Sequence, residues 1–126
     1  MRVAFTEREL DIMAVLWDRG PSTVTEVREH IIDDLAYNTV LSMLRILEEK
    51  GHAGHTEEGR AHRYFPLVER EAAGTSAVDR LVEKVFGGSA ELLLTHLMRD
   101  RRLDGAELRR LRRVLNDRLR EEGEAR

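Results

Sequence analysis

Residues 37–66, YNTVLSMLRILEEKGHAGHTEEGRAHRYFP, constrain the fold of this chain more than any other stretch. The first half carries apolar residues at the three- and four-residue spacing of one buried helix face: Val40, Met43, Leu44 and Leu47. Gly51 ends that helix, and two short extended runs follow at 52–56 and 61–66. The intervening Glu57-Glu58-Gly59-Arg60 is typical of a turn, because glycine tolerates a positive φ. The stretch therefore predicts one helix followed by a β-hairpin.

Two further helices are expected ahead of this stretch, because two Thr-x-x-Glu sequences can form capping boxes. They are Thr6-x-x-Glu9 and Thr23-x-x-Glu26. The first helix is expected to end at Gly20-Pro21 and to bury a stripe formed by Leu10, Met13, Ala14 and Trp17. The second is short, about 24–32. Three helices followed by a hairpin are typical of a winged helix-turn-helix, in which the third helix enters the major groove of DNA.

Beyond Pro66 only helical patterns remain, at about 69–86, 90–99 and 104–120. Each of these helices is amphipathic and cannot bury its apolar face alone. A second copy of the chain is the simplest partner, since two-fold dimers are the commonest oligomers. The predicted fold is mainly α with a small β-hairpin wing, as a winged helix-turn-helix domain over 1–67 and an α-helical homodimerisation region over 68–126. The dimerisation residues are expected to be Val78, Leu81, Val85, Leu92, Leu93, Leu97, Leu108, Leu111 and Leu115.

Composition indicates a cytoplasmic protein. The 126 residues include no cysteine, which excludes disulfides and thiolate metal sites. No apolar run approaches the roughly 20 residues of a membrane span, and the charged start does not resemble a signal peptide. The net charge is −3, and residues 1–66 carry 8 Lys and Arg against 12 Asp and Glu. Binding to DNA must therefore depend on a local patch rather than on a basic field over the whole protein.

The side chains suited to such a patch lie on the third helix and at the hairpin. Asn38 can bridge the edge of adenine, Arg45 can reach guanine or phosphate, and Thr39 and Ser42 suit either kind of contact. The hairpin adds three residues for the flanking backbone: Arg60, His62 and Arg63. The same pattern also fits a solvated helix face and an ordinary hairpin.

No set of residues predicts catalysis, a cofactor or a metal site. The paired carboxylates Asp33-Asp34, Glu48-Glu49 and Glu57-Glu58 are adjacent in sequence and diverge, so they cannot act as an acid and a base on one substrate. No phosphate-binding glycine loop or nucleophile motif is present. His52 and His55 differ in strand parity and are expected to point to opposite faces of the hairpin. We therefore expect a protein that is not an enzyme, without a metal and without a cofactor.

Five motifs, in this order and spacing, resemble the penicillinase-repressor family, the BlaI/MecI-type bacterial repressors. They are TERELDIMAVLWDRG, YNTVLSMLRILEEKG, GRAHRYFPLVERE, LVEKVFGGSAELLL and LDGAELRRLRRVLND. The resemblance implies a homodimeric winged-helix repressor that binds a palindromic, double-stranded operator and controls β-lactamase, antibiotic-resistance or sensor-protease genes. It also implies an upstream membrane metalloprotease sensor, whereas the repressor itself does not insert into the membrane.

Carried onto this sequence, the resemblance makes 37–50 the recognition helix. Well-known members have Lys at the position of Asn38 and Arg at that of Leu41, which implies a different operator here. The regulatory cleavage of the family, at an Asn–Phe bond, corresponds to His96-Leu97. Two alternatives stay open: a ligand-responsive regulator of MarR or PadR type, and a winged-helix protein–protein adaptor that binds no DNA.

Overall fold

The computed structural model describes residues 4–100 and 102–124, and these form six helices and three strands. In chain order the elements are α1 Glu7–Arg19, β1 Ser22–Thr23, α2 Val24–His30, α3 Tyr37–Glu49, β2 Ala53–Glu58, β3 Ala61–Pro66, α4 Arg70–Lys84, α5 Ala90–Asp100 and α6 Gly105–Glu124. The chain divides into two compact units after Arg80. Within the described ranges, no helix is both long enough and apolar enough to span a bilayer.

Both predicted capping boxes are confirmed. The Thr6 hydroxyl accepts from the Glu9 N–H at 3.1 Å, and the Glu9 carboxylate accepts from the Thr6 N–H at 2.7 Å. The same reciprocal pair joins Thr23 and Glu26 at the start of α2. These side chains satisfy backbone donors that have no partner within the helix. The positions at which α1 and α2 begin are therefore local properties of the sequence.

The hairpin is built from longer strands and a shorter turn than the sequence predicted. Glu57 and Glu58 belong to β2, and only Gly59 and Arg60 connect the strands, with Gly59 at φ 62°. The antiparallel register pairs His55 with Tyr64 and Glu57 with His62. A third strand, β1, pairs with β3 through Ser22 and Thr23, so the sheet order is β1-β3-β2. The sequence did not predict β1, because two residues give no periodic pattern.

The core of the first unit lies between the three helices and the sheet. Its large fully buried apolar side chains come from α1, α2, α3 and β3: Ile12, Met13, Leu16, Val27, Val40, Leu44, Leu47 and Tyr64. The α3 stripe is as predicted, although Met43 is only partly buried. The α1 stripe is only partly as predicted: Met13 is fully buried. Leu10, Ala14 and Trp17 are half-buried, whereas Ile12, Val15 and Leu16 are buried. Because seven of the eight residues 10–17 are apolar, periodicity alone could not select the buried face.

The second unit has a different character. None of its described residues has a buried side chain, and most leucines of α5 and α6 are exposed. Six apolar side chains of these two helices line a groove of about 470 Å³ together with two arginines: Leu94, Met98, Leu108, Leu111, Val114 and Leu115. A soluble monomer rarely exposes so contiguous an apolar surface. This unit therefore presents a face that its own chain leaves open.

Candidate nucleic-acid interface

The exposed face of α3 carries the residues that the sequence selected for base contacts. Asn38, Ser42 and Arg45 follow one another at spacings of four and three, so they share one side of the helix. Thr39 lies beside them, and all four side chains are exposed. None of the four makes a side-chain hydrogen bond to another described residue. These polar groups are thus available to an outside partner.

Two contacts hold α3 in place beneath that face. Its apolar side, with Val40, Leu44 and Leu47 fully buried, packs into the core. At its C-terminal end Lys50 donates to Glu9 of α1 at 2.7 Å. Burial by itself raises the pKa of the Glu9 carboxyl, but the hydrogen bonds from Lys50 and Thr6 outweigh it and leave the pKa below its ordinary value. The ion pair fixes the end of α3 against the start of α1.

Arg60 lies at the tip of the hairpin, where a contact with the DNA backbone is expected. It follows Gly59 in the two-residue turn and is exposed. It forms no ion pair with a described carboxylate. A guanidinium at the tip of a turn can reach a phosphate without first breaking an internal contact.

Arg63, by contrast, is engaged within the protein. Its guanidinium donates to Glu26 Oε1 at 2.8 Å, to Glu58 Oε2 at 2.5 Å and to the Pro21 carbonyl at 3.2 Å. Glu26 lies on α2 and Glu58 on β2, so one side chain connects three segments. The sequence predicts that Arg63 contacts the DNA backbone, whereas its observed contacts are those of a brace between the hairpin and α2.

The pKa values of both carboxylates around Arg63 are lowered. The pKa of Glu26 is lowered to about 2, first because its carboxylate accepts from the backbone N–H of Thr23 and then because Arg63 lies beside it. The hydrogen bond from Arg63 lowers the pKa of Glu58, and Glu58 in turn raises the pKa of Arg63. All three groups are therefore charged at neutral pH, and the brace is ionic.

His62 points to the opposite face of β3 from Arg63, since adjacent strand residues alternate. Its ring stacks on that of His55 with the centroids 4.1 Å apart and the planes 8° from parallel. Glu57 lies directly across from His62, and His55 Nδ1 is 2.6 Å from Glu48 Oε2 on α3. His52 lies before β2, where its ring contacts Phe5. Strand parity relates only residues of one strand, such as His52 and His55, so it does not predict the cross-strand cluster of His55, Glu57 and His62 that pairing across the hairpin creates.

Comparison with known proteins decides the family. The family model described as penicillinase repressor matches residues 5–117, which is most of the chain. The chain belongs to the penicillinase-repressor family. This confirms the resemblance that the five motifs indicated, and it places the chain among regulators rather than enzymes, as the sequence predicted.

Two proteins similar to this chain are named as regulators. A protein named transcriptional regulator BlaI, from Mycobacterium tuberculosis, is 36% identical over 111 residues, covering 85% of this chain and 79% of the relative. The methicillin resistance regulatory protein MecI of Staphylococcus aureus strain N315 is 22% identical over 110 residues, covering 86% and 89%. A solution structure of Bacillus licheniformis BlaI, in its monomeric form with the blaP half-operator, covers 57% of this chain and 90% of that one, with 26% identity and a TM-score of 0.49.

Proposed function

We propose that this penicillinase-repressor family member is a transcriptional repressor that binds a palindromic operator as a homodimer and blocks access to the promoter. The exposed polar face of α3, with Asn38, Ser42 and Arg45 in register, carries the proposal. A helix is the element that the major groove admits, and these side chains match the hydrogen-bonding edges of bases. The relatives named as BlaI and MecI regulators support the same function. A protein that acts on the bacterial chromosome works in the cytoplasm, and we extend that location to this chain.

Within this proposal the DNA contacts divide by kind. Asn38, Thr39, Ser42 and Arg45 read base edges or nearby phosphates from α3, and Arg60 contacts the flanking backbone from the turn. The sequence predicts that Arg63 and His62 also contact DNA, but their observed contacts are within the protein. We propose that they support the hairpin and contribute less directly to DNA binding. One operator half-site then meets few side chains, and two copies are needed for useful affinity.

The exposed apolar side chains of α4, α5 and α6 support dimerisation. Eight of the nine residues predicted for the dimer interface are exposed, and Leu93 is half-buried. The groove between α5 and α6 is lined by Leu108, Leu111 and Leu115 of that set. An amphipathic helix from a second copy offers the same apolar chemistry and closes a two-fold interface. Two recognition helices of such a dimer would enter successive major grooves about 34–36 Å apart, or at a multiple of that spacing.

Binding to the DNA upstream of the gene tests the proposal. We expect salt-dependent binding, with log K falling by about 0.9 per phosphate contact for each unit of log salt concentration. Fluorescence anisotropy with a labelled upstream fragment and a shuffled fragment of equal length measures affinity and specificity. Equal affinity for the two fragments would contradict an operator-specific repressor. Absence of any DNA binding by the folded dimer would favour the adaptor alternative.

Arg45→Ala separates base reading from general attraction. If Arg45 reads a base, the variant should lose about 1–3 kcal/mol on the operator and much less on the shuffled fragment. Arg60→Ala should weaken both fragments about equally, since phosphate contacts carry no sequence information. Arg80→Ala, an exposed arginine on α4, is the control. An equal loss on both fragments for Arg45→Ala would refute its base-reading role.

A shortened protein tests the role of the second half. The sequence predicted the DNA-binding domain to end at residue 67, but Trp17 Nε1 donates to the Val68 carbonyl at 2.9 Å and Ala73 is buried. We therefore propose that 68–80 stabilise the first unit, and that the division falls after Arg80. A protein of residues 1–80 should sediment as a folded monomer with weak operator binding. A dimer of this length would contradict pairing through the helices beyond it.

Relief of repression by cleavage is the least direct part of the proposal. We propose that a membrane sensor metalloprotease, encoded beside this gene, leads to cleavage at His96-Leu97 after exposure to a β-lactam. Both residues lie within α5, where His96 Nδ1 is 3.0 Å from the Leu92 carbonyl, so the helix must open before a protease can act. Mass spectrometry of the cellular protein should find fragments ending at His96 and starting at Leu97. An intact chain under derepressing conditions would refute this step.

A further inference from the structure

The hairpin brings together three metal-ligating side chains that the proposed repressor function does not use. They are His55 and Glu57 of β2 and His62 of β3, and one potential ligand atom from each lies within 4.8 Å of the other two. Their convergence follows from the register. His55 and Glu57 are two residues apart on one face of β2, and His62 stands opposite Glu57. Both histidines are half-buried and Glu57 is exposed.

We propose that this cluster is a binding site for a borderline divalent cation of the Zn²⁺ class. Two imidazoles and one carboxylate are a donor set that Zn²⁺ uses with a water in the fourth position. A tetrahedral ion with bonds of about 2.0–2.2 Å holds its ligand atoms about 3.3–3.6 Å apart. The ligand atoms, which lie within 4.8 Å of one another, must close by about 1 Å. Because the rings of His55 and His62 stack with their planes 8° from parallel, and each lone pair lies in its ring plane, the His62 ring must also turn out of the stack for both rings to face one ion.

A fourth residue supplies the outer partner that metal-bound histidines usually have. The His55 Nδ1 lies 2.6 Å from Glu48 Oε2. A carboxylate can only accept, so Nδ1 donates, and the lone pair of Nε2 is left for a cation. Carboxylate–histidine pairs of this kind fix the ring and make it a better ligand. Tyr64, whose ring is 5.4 Å from that of His55, is fully buried beneath it and limits the movement of the ring.

The site would join two functional elements. His55, Glu57 and His62 belong to the hairpin, and Glu48 is in the last turn of α3. A bound cation therefore rigidifies the connection between hairpin and recognition helix. It also adds positive charge to a first half of the chain that carries 8 basic against 12 acidic residues over 1–66. Cation binding itself requires no DNA, and it can be measured on the free protein.

Titration of the metal-free full-length protein with Co²⁺, followed by competition with Zn²⁺, tests the site. We expect one equivalent per chain and the intense visible absorption of four- or five-coordinate Co²⁺. His55→Gln, His62→Gln and Glu57→Gln should each weaken binding by more than the about 10–100-fold typical for loss of an outer partner. Glu48→Gln should fall within that 10–100-fold range. His30→Gln, an exposed histidine on α2, is the matched control and should bind as the unaltered protein does.

Glu57→Gln keeps the test decisive if a histidine variant fails to fold, because Glu57 is exposed and its replacement removes only a ligand. Circular dichroism establishes folding for each variant. The weak spectrum of six-coordinate Co²⁺ in the unaltered protein would overturn the proposal. So would unchanged affinity in the Glu57 and His62 variants. Since no DNA is present, neither result depends on whether the protein is a repressor.

Discussion

Arg63 of β3 donates to Glu26 of α2 at 2.8 Å, and this pair connects the hairpin to the helix that precedes the recognition helix. Glu26 is at the same time the glutamate of the α2 capping box, where it accepts from the Thr23 N–H. The Glu26 carboxylate thus both caps the start of α2 and holds β3 through Arg63. The geometry of the DNA-facing surface depends on this contact although neither residue belongs to the exposed face of α3.

Replacing Arg63 by alanine should lower the melting temperature of the protein, because Glu26, Glu58 and the Pro21 carbonyl lose their shared donor. Arg63→Lys should restore only part of the loss, since an ammonium lacks the fork that serves several acceptors at once. Thermal unfolding followed by circular dichroism measures the effect. Arg60→Ala is the control and should change the free energy of unfolding by less than about 0.5 kcal/mol. Equal stability of the two alanine variants would contradict the bracing role.

Acid should weaken the same brace. The pKa of Glu26 is lowered from 4.5 to about 2, so the folded state favours the charged carboxylate. The stabilisation is complete above pH 4.5 and is lost as the pH falls from 4.5 towards 2. The lowered pKa values of Glu9 and Glu58 act in the same direction. Glu26→Gln, which keeps a capping side chain without the charge, should be less stable than the unaltered protein at pH 7.

The difference between Glu26→Gln and the unaltered protein should shrink as the pH falls through this range. Urea unfolding at several pH values measures it, and Glu29→Gln on the exposed side of the same helix serves as control. A difference that stays constant between pH 7 and pH 3 would show that the charge on Glu26 does not contribute to stability.

Truncation within α3 should separate its two faces. Leu44 is fully buried, and Leu44→Ala should cost about 2–5 kcal/mol in the free energy of unfolding. Ile46, two residues further on, is 44% exposed, and Ile46→Ala should cost much less. Urea unfolding of both variants checks the orientation of the helix. A larger loss for Ile46→Ala would mean that α3 is rotated and that Arg45 does not face outward.

Two glycines should respond in opposite directions to alanine. Gly74 lies inside α4 with open space around its Cα, so Gly74→Ala should stabilise the protein by about 0.5–1 kcal/mol. Gly59 sits in the hairpin turn at φ 62°, where a side chain costs about 1–2 kcal/mol. Differential scanning calorimetry of the two variants measures both changes. Destabilisation by Gly74→Ala would indicate that α4 requires glycine for a contact with another chain.

Local chemistry in the sequence was sufficient for the order of the six helices and the hairpin, although not for β1. Capping boxes located the starts of α1 and α2, Gly51 marked the end of α3 and Gly59 the turn of the hairpin, and the stripe of α3 identified its buried side. Each of these signals acts within a few residues, and no distant part of the chain is needed to read it. The exposed face of α3 followed directly, since it is the side opposite the stripe. The motifs added the family, which the match over residues 5–117 confirms.

Only the tertiary structure decided which side of α1 is buried, that Ser22 and Thr23 form a third strand, and which partners the charged hairpin residues have. The sequence alone does not show the internal partner of Arg63, because Glu26 is 37 residues away, and the stacking of His55 on His62 depends on the pairing of β2 with β3. Periodicity reports on a single element, whereas register and ion pairing depend on how several elements meet. The sequence therefore determined the recognition helix, and the packing of the hairpin against α2 and α3 determined what surrounds it.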